Sequence, residues 1–155
     1  MPPPFQRLLD DHAESVLRFL VASVGPVDAD DCFQETVIAA LRAYPRLRHA
    51  DNLRGWLLTI AHNKALDHHR ARARRAIPVE DADPGAAPGE HPVRDDGLWN
   101  AVHDLPPKQR GAVLLRFVGD LSHREIATVL DSSEEAARRA LADGLAKLRK
   151  EWTPA

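Results

Sequence analysis

Residues 121–141 read LSHREIATVLDSSEEAARRAL. Ser122, followed three residues later by Glu125, has the spacing of a capping box and opens a helix. Ile126, Ala127 and Leu130 form the apolar side of that helix. Asp131, Ser132 and Ser133 then make a polar turn, and a serine caps a second helix that buries Ala137, Leu141, Leu145 and Leu148 at three- and four-residue steps. Two short helices joined by a three-residue turn have the layout of a helix-turn-helix. Ala127 is small where two such helices cross, and Asp131 tolerates the left-handed backbone that a tight turn asks for. Yet Glu134, Glu135 and Asp143 sit on the helix that would meet DNA, where basic side chains are expected. The stretch therefore points to an all-α fold before it points to a function.

Working outward, LPPKQRGAVLLRFV (105–118) begins with prolines suited to a first helical turn. Val113, Leu114 and Phe117 are expected to face inward, and Gly119 to end the helix. Upstream, IPVEDADPGAAPGEHPVRDDG (77–97) holds four prolines, three glycines and six acids against one arginine. It reads as an acidic, extended linker. The chain thus divides into residues 1–76, the linker 77–97 and residues 98–155. The flanking blocks are near neutral, with 11 Lys/Arg against 9 Asp/Glu in the first and 9 against 8 in the last. The net charge of −2 announces no nucleic-acid binder, so any basic surface must be local.

The first block reads as three helices. In FQRLLDDHAESVLRFLVASV (5–24), Phe5, Leu8, Leu9, His12, Val16, Phe19 and Leu20 share a face, and Gly25 and Pro26 break the run. DADDCFQETVIAALRAY (28–44) follows, with Asp28 or Asp30 as cap and Cys32, Phe33, Val37, Ile38 and Leu41 as the apolar stripe. Asp31, Gln34 and Glu35 fall on its other faces. LRGWLLTIAHNKALDHHRARARR (53–75) begins after Asp51 or Asn52 and carries Leu53, Leu57, Ala61 and Ala65 four apart. Trp56 reads as a core residue, because Leu57 and Ile60 beside it are apolar. Arg70, Arg72, Arg74 and Arg75 crowd the last turns. Four arginines in six residues exceed what the helix dipole asks for and favour phosphate binding.

Several classes are excluded. Cys32 is the only cysteine, so no internal disulfide forms, and it reads as a small buried hydrophobe. No apolar run approaches the roughly 20 residues that span a bilayer, and the start MPPPFQRLLDDHAESV lacks a signal-peptide pattern. The expectation is a cytoplasmic protein with no membrane contact. His62, Asp67, His68 and His69 gather in AHNKALDHHR, but His62 and His69 are seven apart and adjacent histidines diverge on a helix. No metal site, cofactor or catalytic residue is assigned.

Three stretches in order, DADDCFQETVIAALRAYPRL, NLRGWLLTIAHNKALDHHRARARR and LPPKQRGAVLLRFVGDLSHREIATVLDSS, resemble a bacterial RNA polymerase sigma factor of the extracytoplasmic-function group. The resemblance runs from about Phe5 to Arg149. It implies two small helical domains, a region 2-like bundle and a region 4-like helix-turn-helix, and a non-enzymatic transcription initiation factor. Its implied partners are core RNA polymerase (clamp helices and flap), promoter DNA and, as a candidate, an anti-sigma factor. Asp31, Gln34 and Glu35 correspond to the clamp-docking surface. Asn63, Lys64, Asp67, Arg70, Arg72 and Arg74 correspond to the minus-ten element, and the loop RLRHADN before them to the segment that captures a base from the opened strand. The acidic linker corresponds to the connector threaded through polymerase. In the helix-turn-helix, Arg124, Ser133, Arg138, Arg139 and Lys147 are the candidate DNA contacts. The family usually has glycine where Asp131 stands, threonine and valine where Ala136 and Ala137 stand, and basic or hydrogen-bonding residues where Ala140, Ala142 and Asp143 stand. Upstream-element binding is therefore expected to be weak or atypical. The alternatives are a stand-alone helix-turn-helix regulator, dimerised through its N-terminal helices, and a sigma-like protein that binds polymerase but no longer directs a promoter well.

Overall fold

The computed structural model describes residues 3–48, 51–75 and 97–151. The linker assigned to 77–97 lies outside them apart from Gly97. Among the described residues there are seven α-helices and a short 3-10 turn: α1 (Phe5–Val24), α2 (Pro26–Ala43), the turn Tyr44–Arg46, α3 (Leu53–Arg75), α4 (Gly97–His103), α5 (Pro107–Phe117), α6 (His123–Leu130) and α7 (Glu134–Glu151). The all-α expectation holds.

Helices α1, α2 and α3 pack on one another as a first bundle. Gly25, with φ at 90°, ends α1 and lets Pro26 start α2 at once; the positive φ suits glycine. The expected caps Asp28 and Asp30 are not used as caps. Asp28 instead accepts from Arg72 Nη1 at 3.1 Å and lies 3.3 Å from His68 Nε2, fastening α2 to the far end of α3. Leu8, Val16, Phe19 and Leu20 of α1 meet Leu57, Leu58, Ala61 and Ala65 of α3 in the core. Trp56 is half-buried, tilted against Tyr44 at 6.0 Å, and Tyr44 in turn meets Phe5 edge-on at 5.3 Å.

The face that α2 buries differs from the expected stripe. Ala29, Cys32, Thr36 and Ala40 point inward, whereas Ile38 and Leu41 are 49 % and 55 % exposed. Close approach of three helices selects small residues for the buried seam, and the branched side chains are left outside. The Thr36 hydroxyl is satisfied there by donating to the Cys32 carbonyl at 2.7 Å.

Helices α4 to α7 form the second bundle. Ala112, Leu115, Leu121, Ile126 and Ala137 are its most buried apolar residues. Gly144 of α7 lies so close to Val113 and Gln109 of α5 that a Cβ would meet Val113 at 3.0 Å. Phe117, expected inward, is 63 % exposed, because α5 ends there and the chain turns before α6. The helix-turn-helix is formed by α6 and α7. Ser122 Oγ accepts from Glu125 N, and Glu125 Oε1 accepts from Ser122 N at 2.8 Å, completing the capping box. Asp131 adopts the left-handed conformation at φ 53°, ψ 52°, and Ser133 Oγ caps α7 by accepting from Ala136 N at 3.0 Å.

The two bundles touch. Helix α3 packs on α6, and α1 on α5.

Candidate nucleic-acid and polymerase interface

Three surfaces carry the candidate residues. On α2, Asp31, Gln34 and Glu35 are exposed, and none has an ion-pair or hydrogen-bond partner among the described residues. Ile38 and Leu41 continue the same outer face at helical spacing. The face is acidic at one end and apolar at the other, a composition suited to docking a basic, partly apolar helix. The apolar half was missed in the sequence because both residues read as core.

The second surface is the length of α3. Asn52 caps it, its Oδ1 accepting from Gly55 N at 3.0 Å. Asn63, Asp67 and Arg70 are exposed and Lys64 is half-buried. Arg70 lies 3.9 Å from Asp67, so part of its charge is answered on its own helix. Arg74 and Arg75 are exposed at the tip. Arg72 differs from them: its guanidinium is engaged by Asp28, half-buried, and works inside the fold. The positive tip is thus narrower than four arginines suggest. His62 is buried and His69 half-buried, and burial pulls both imidazoles down to about 4, with the nearby Arg110 guanidinium acting in the same direction. Both are neutral near pH 7, and His68 is held beside Asp28. No group of three or more metal-ligating side chains occurs among the described residues.

The third surface is α7 with the start of α6. Arg124, Arg138, Arg139 and Lys147 are all exposed. Arg138 pairs with Glu134 at 2.9 Å, while Ser133 spends its hydroxyl on the cap. Arg139 and Lys147 are exposed on α7 and make no ion pair or hydrogen bond among the described residues.

Two family descriptions cover these bundles. Sigma-70 region 2 matches residues 8–75, and Sigma-70, region 4 matches residues 96–148. The ECF RNA polymerase sigma factor SigD of Mycobacterium tuberculosis is 35% identical over 152 residues, covering 88% of this chain and 71% of that protein. The chain belongs to the ECF sigma factors. CarQ, an RNA polymerase sigma factor of Myxococcus xanthus, is 34% identical over 94% of this chain and 87% of its own. Among solved structures, the sigma factor RpoE of Bartonella quintana, crystallised with its anti-sigma factor NepR, shares the fold with a TM-score of 0.77 at 19% identity, covering 94% of both chains.

In this sigma factor, α1–α3 are the region 2 bundle and α4–α7 the region 4 bundle. The contacts between the two bundles were not announced by the sequence. Asn52 Nδ2 donates to Glu125 Oε2 of α6, and Arg54 Nη2 donates to the Asp120 carbonyl at 2.9 Å. Hydrogen bonds from Ser122, first from its backbone and then from its side chain, hold the Glu125 carboxyl below its ordinary value, and Asn52 and Arg54 add to the effect against a smaller cost of burial. No local pattern announces a pair 73 residues apart. No helix among the described residues is long and apolar enough to cross a membrane.

Proposed function

We propose that this sigma factor docks on core RNA polymerase through the outer face of α2 and opens promoter DNA with α3. The observation that carries the docking assignment is the unpaired Asp31–Gln34–Glu35 group running into the exposed Ile38 and Leu41. A carboxylate pair beside apolar surface gives orientation through charge and affinity through burial. On α3, Asn63, Lys64 and Arg70 line an exposed side that ends in Arg74 and Arg75, a rigid polar platform for an unpaired strand. Strand opening needs no bond chemistry. The protein contributes binding energy that offsets lost stacking, acts in the cytoplasm with its polymerase, and carries no catalytic group.

In region 4, Arg139, Arg124 and Lys147 supply phosphate or base contacts, with Arg138 partly held by Glu134. Glu134, Glu135 and Asp143 oppose the phosphate field, so the upstream grip is modest. Run-off transcription from a promoter pool tests the reading. Core polymerase with this chain should yield discrete transcripts that core alone does not. A chain that retards duplex DNA without polymerase and yields no transcript is a stand-alone regulator instead.

A further inference from the structure

We infer that the cavity enclosed by α1, α3 and α5 is an anion site that takes one chloride-sized halide, held by Arg110 and His69.

The lining sets the chemistry. Phe19 and Ser23 of α1, His62, Leu66 and His69 of α3, and Arg110 of α5 surround a space with room for one water-sized occupant. Among the described residues no acidic side chain lines it.

Arg110 is a cation without a counter-charge. Its guanidinium is partly buried, burial lowers its pKa, and no carboxylate lies within ion-pair distance among the described residues. Nη1 donates to the His103 carbonyl at 2.9 Å, which leaves other N–H groups of the fork to be answered. The surrounding titratable groups carry no negative charge to spare. Those near His69 are His103 of α4, Arg110 of α5 and, on its own helix, His68. The one acid within reach, Asp28 of α2, is held by His68 and Arg72. From α1, Ser23 offers only its backbone. A desolvated cation is costly until something negative joins it.

His69 supplies the second anchor. Its Nε2 is enclosed and has no hydrogen-bond partner, so the bond to the Ser23 backbone falls to Nδ1. A neutral imidazole that donates from Nδ1 carries a bare lone pair on Nε2, whereas the charged ring carries an N–H there. A water in the cavity would serve the lone pair and leave Arg110 unanswered. A halide answers Arg110 and draws a proton onto Nε2, which then donates to it. The space is too small for sulfate or phosphate, so size selects a monatomic ion. Binding and protonation are therefore coupled. Burial and then Arg110 hold His62 and His69 down to about 4, and a negative occupant opposes both influences. Each imidazole binds its proton more tightly with the site filled, so halide affinity rises as pH falls below neutrality.

Chloride NMR line broadening on the full chain tests this at constant ionic strength, with gluconate, too bulky to enter, as the balancing anion. The parent should broaden the chloride line. Bromide should displace the excess and sulfate should not. The excess should grow by roughly twofold or more as pH falls from about 7.5 to about 5.5. Arg110→Met, which keeps the length of the side chain without its charge, should remove the excess, and Arg110→Lys should keep part of it. His69→Gln should reduce the growth on acidification. Replacing gluconate by chloride at the lower pH should raise the parent's melting temperature by about 3 °C relative to Arg110→Met. If Arg110→Met fails to fold by circular dichroism, His69→Gln decides, and unchanged growth on acidification overturns the site. An absence of excess broadening in the parent overturns it too, and means that the cavity holds water. So does broadening by Arg110→Met equal to the parent's, which places the chloride on the surface, or an excess that ignores pH.

Discussion

Asn52 donates its side-chain amide to Glu125, so the residue that caps the third helix is bonded to the residue that closes the cap of the sixth. One carboxylate thus serves two ends of the molecule. It organises the first turn of the helix-turn-helix and contacts the entry to α3. Ser122→Ala removes the cap from α6 while leaving Glu125 in place, and should cost about 1 kcal/mol of stability. Glu125→Ala should cost more, because it also removes the acceptor for Asn52. Urea denaturation of the full chain followed by circular dichroism gives both values; equal losses would mean the Asn52 contact contributes nothing.

Acid should destabilise the fold through His62 and His69. Both are depressed from 6.5 to about 4, chiefly by burial and then by Arg110, with His68 and His103 adding to the effect on His69 and a Ser23 backbone hydrogen bond opposing it. The unfolded chain takes up these protons first. Stability is therefore unaffected by them above pH 6.5, falls as pH drops from 6.5 towards 4, and levels off below that. For the buried His62 the loss is on the order of 3 kcal/mol. His62→Leu should flatten the slope of urea midpoint against pH between 6.5 and 4; an unchanged slope would show that the imidazole titrates freely.

Reversing Asp31 and Glu35 to Lys should weaken binding to core polymerase by on the order of tenfold or more, with helicity preserved. Leu41→Ala, at the apolar end of the same face, should weaken it as well. Fluorescence anisotropy against core polymerase reads both. Full affinity in the double reversal would remove the docking assignment from α2.

The arginines of α3 should separate by role. Arg70→Ala and Arg74→Ala should each reduce the salt slope of holoenzyme–DNA binding by about 1 if each contacts a phosphate. Arg72→Ala should leave the slope alone and lower thermal stability by about 1 kcal/mol, since its partner is Asp28 and the pair is about 30% exposed on both sides. A reduced slope for Arg72 would mean that the Asp28 pair breaks on binding DNA.

On α7, Arg139→Ala should weaken upstream-element binding by about 1–3 kcal/mol if it reaches a base, and relax the preference there. Asp143→Arg should strengthen it, and more at low salt than at high. Gel shifts of the holoenzyme on promoters with and without the upstream element decide. Parental behaviour in both variants would leave region 4 as a protein-docking module.

The helix-turn-helix was legible in the sequence because its signals are local. Ser122, Glu125, Asp131 and Ser133 each act within four residues, and each does in the structure what its chemistry suggests. The outer face of α2 was only half legible. Periodicity counts Ile38 and Leu41 as core, but three closely packed helices bury Ala29, Thr36 and Ala40 instead. Phe117 misled in the same way. Arg72 looked like its neighbours until Asp28, 44 residues away, was seen to hold it. The contacts between the two bundles were not legible at all, since Asn52 with Glu125 and His62 with Gly111 are brought together by tertiary packing and leave no pattern along the chain.

Permanganate footprinting of a run-off-selected promoter tests the central claim most directly. With core polymerase and the parent chain, thymines around the minus-ten region should become reactive. With Asn63→Ala/Lys64→Ala they should lose most of that reactivity while polymerase affinity is retained. Full reactivity in the double variant, or reactivity with core polymerase alone, would contradict the assignment of strand opening to α3.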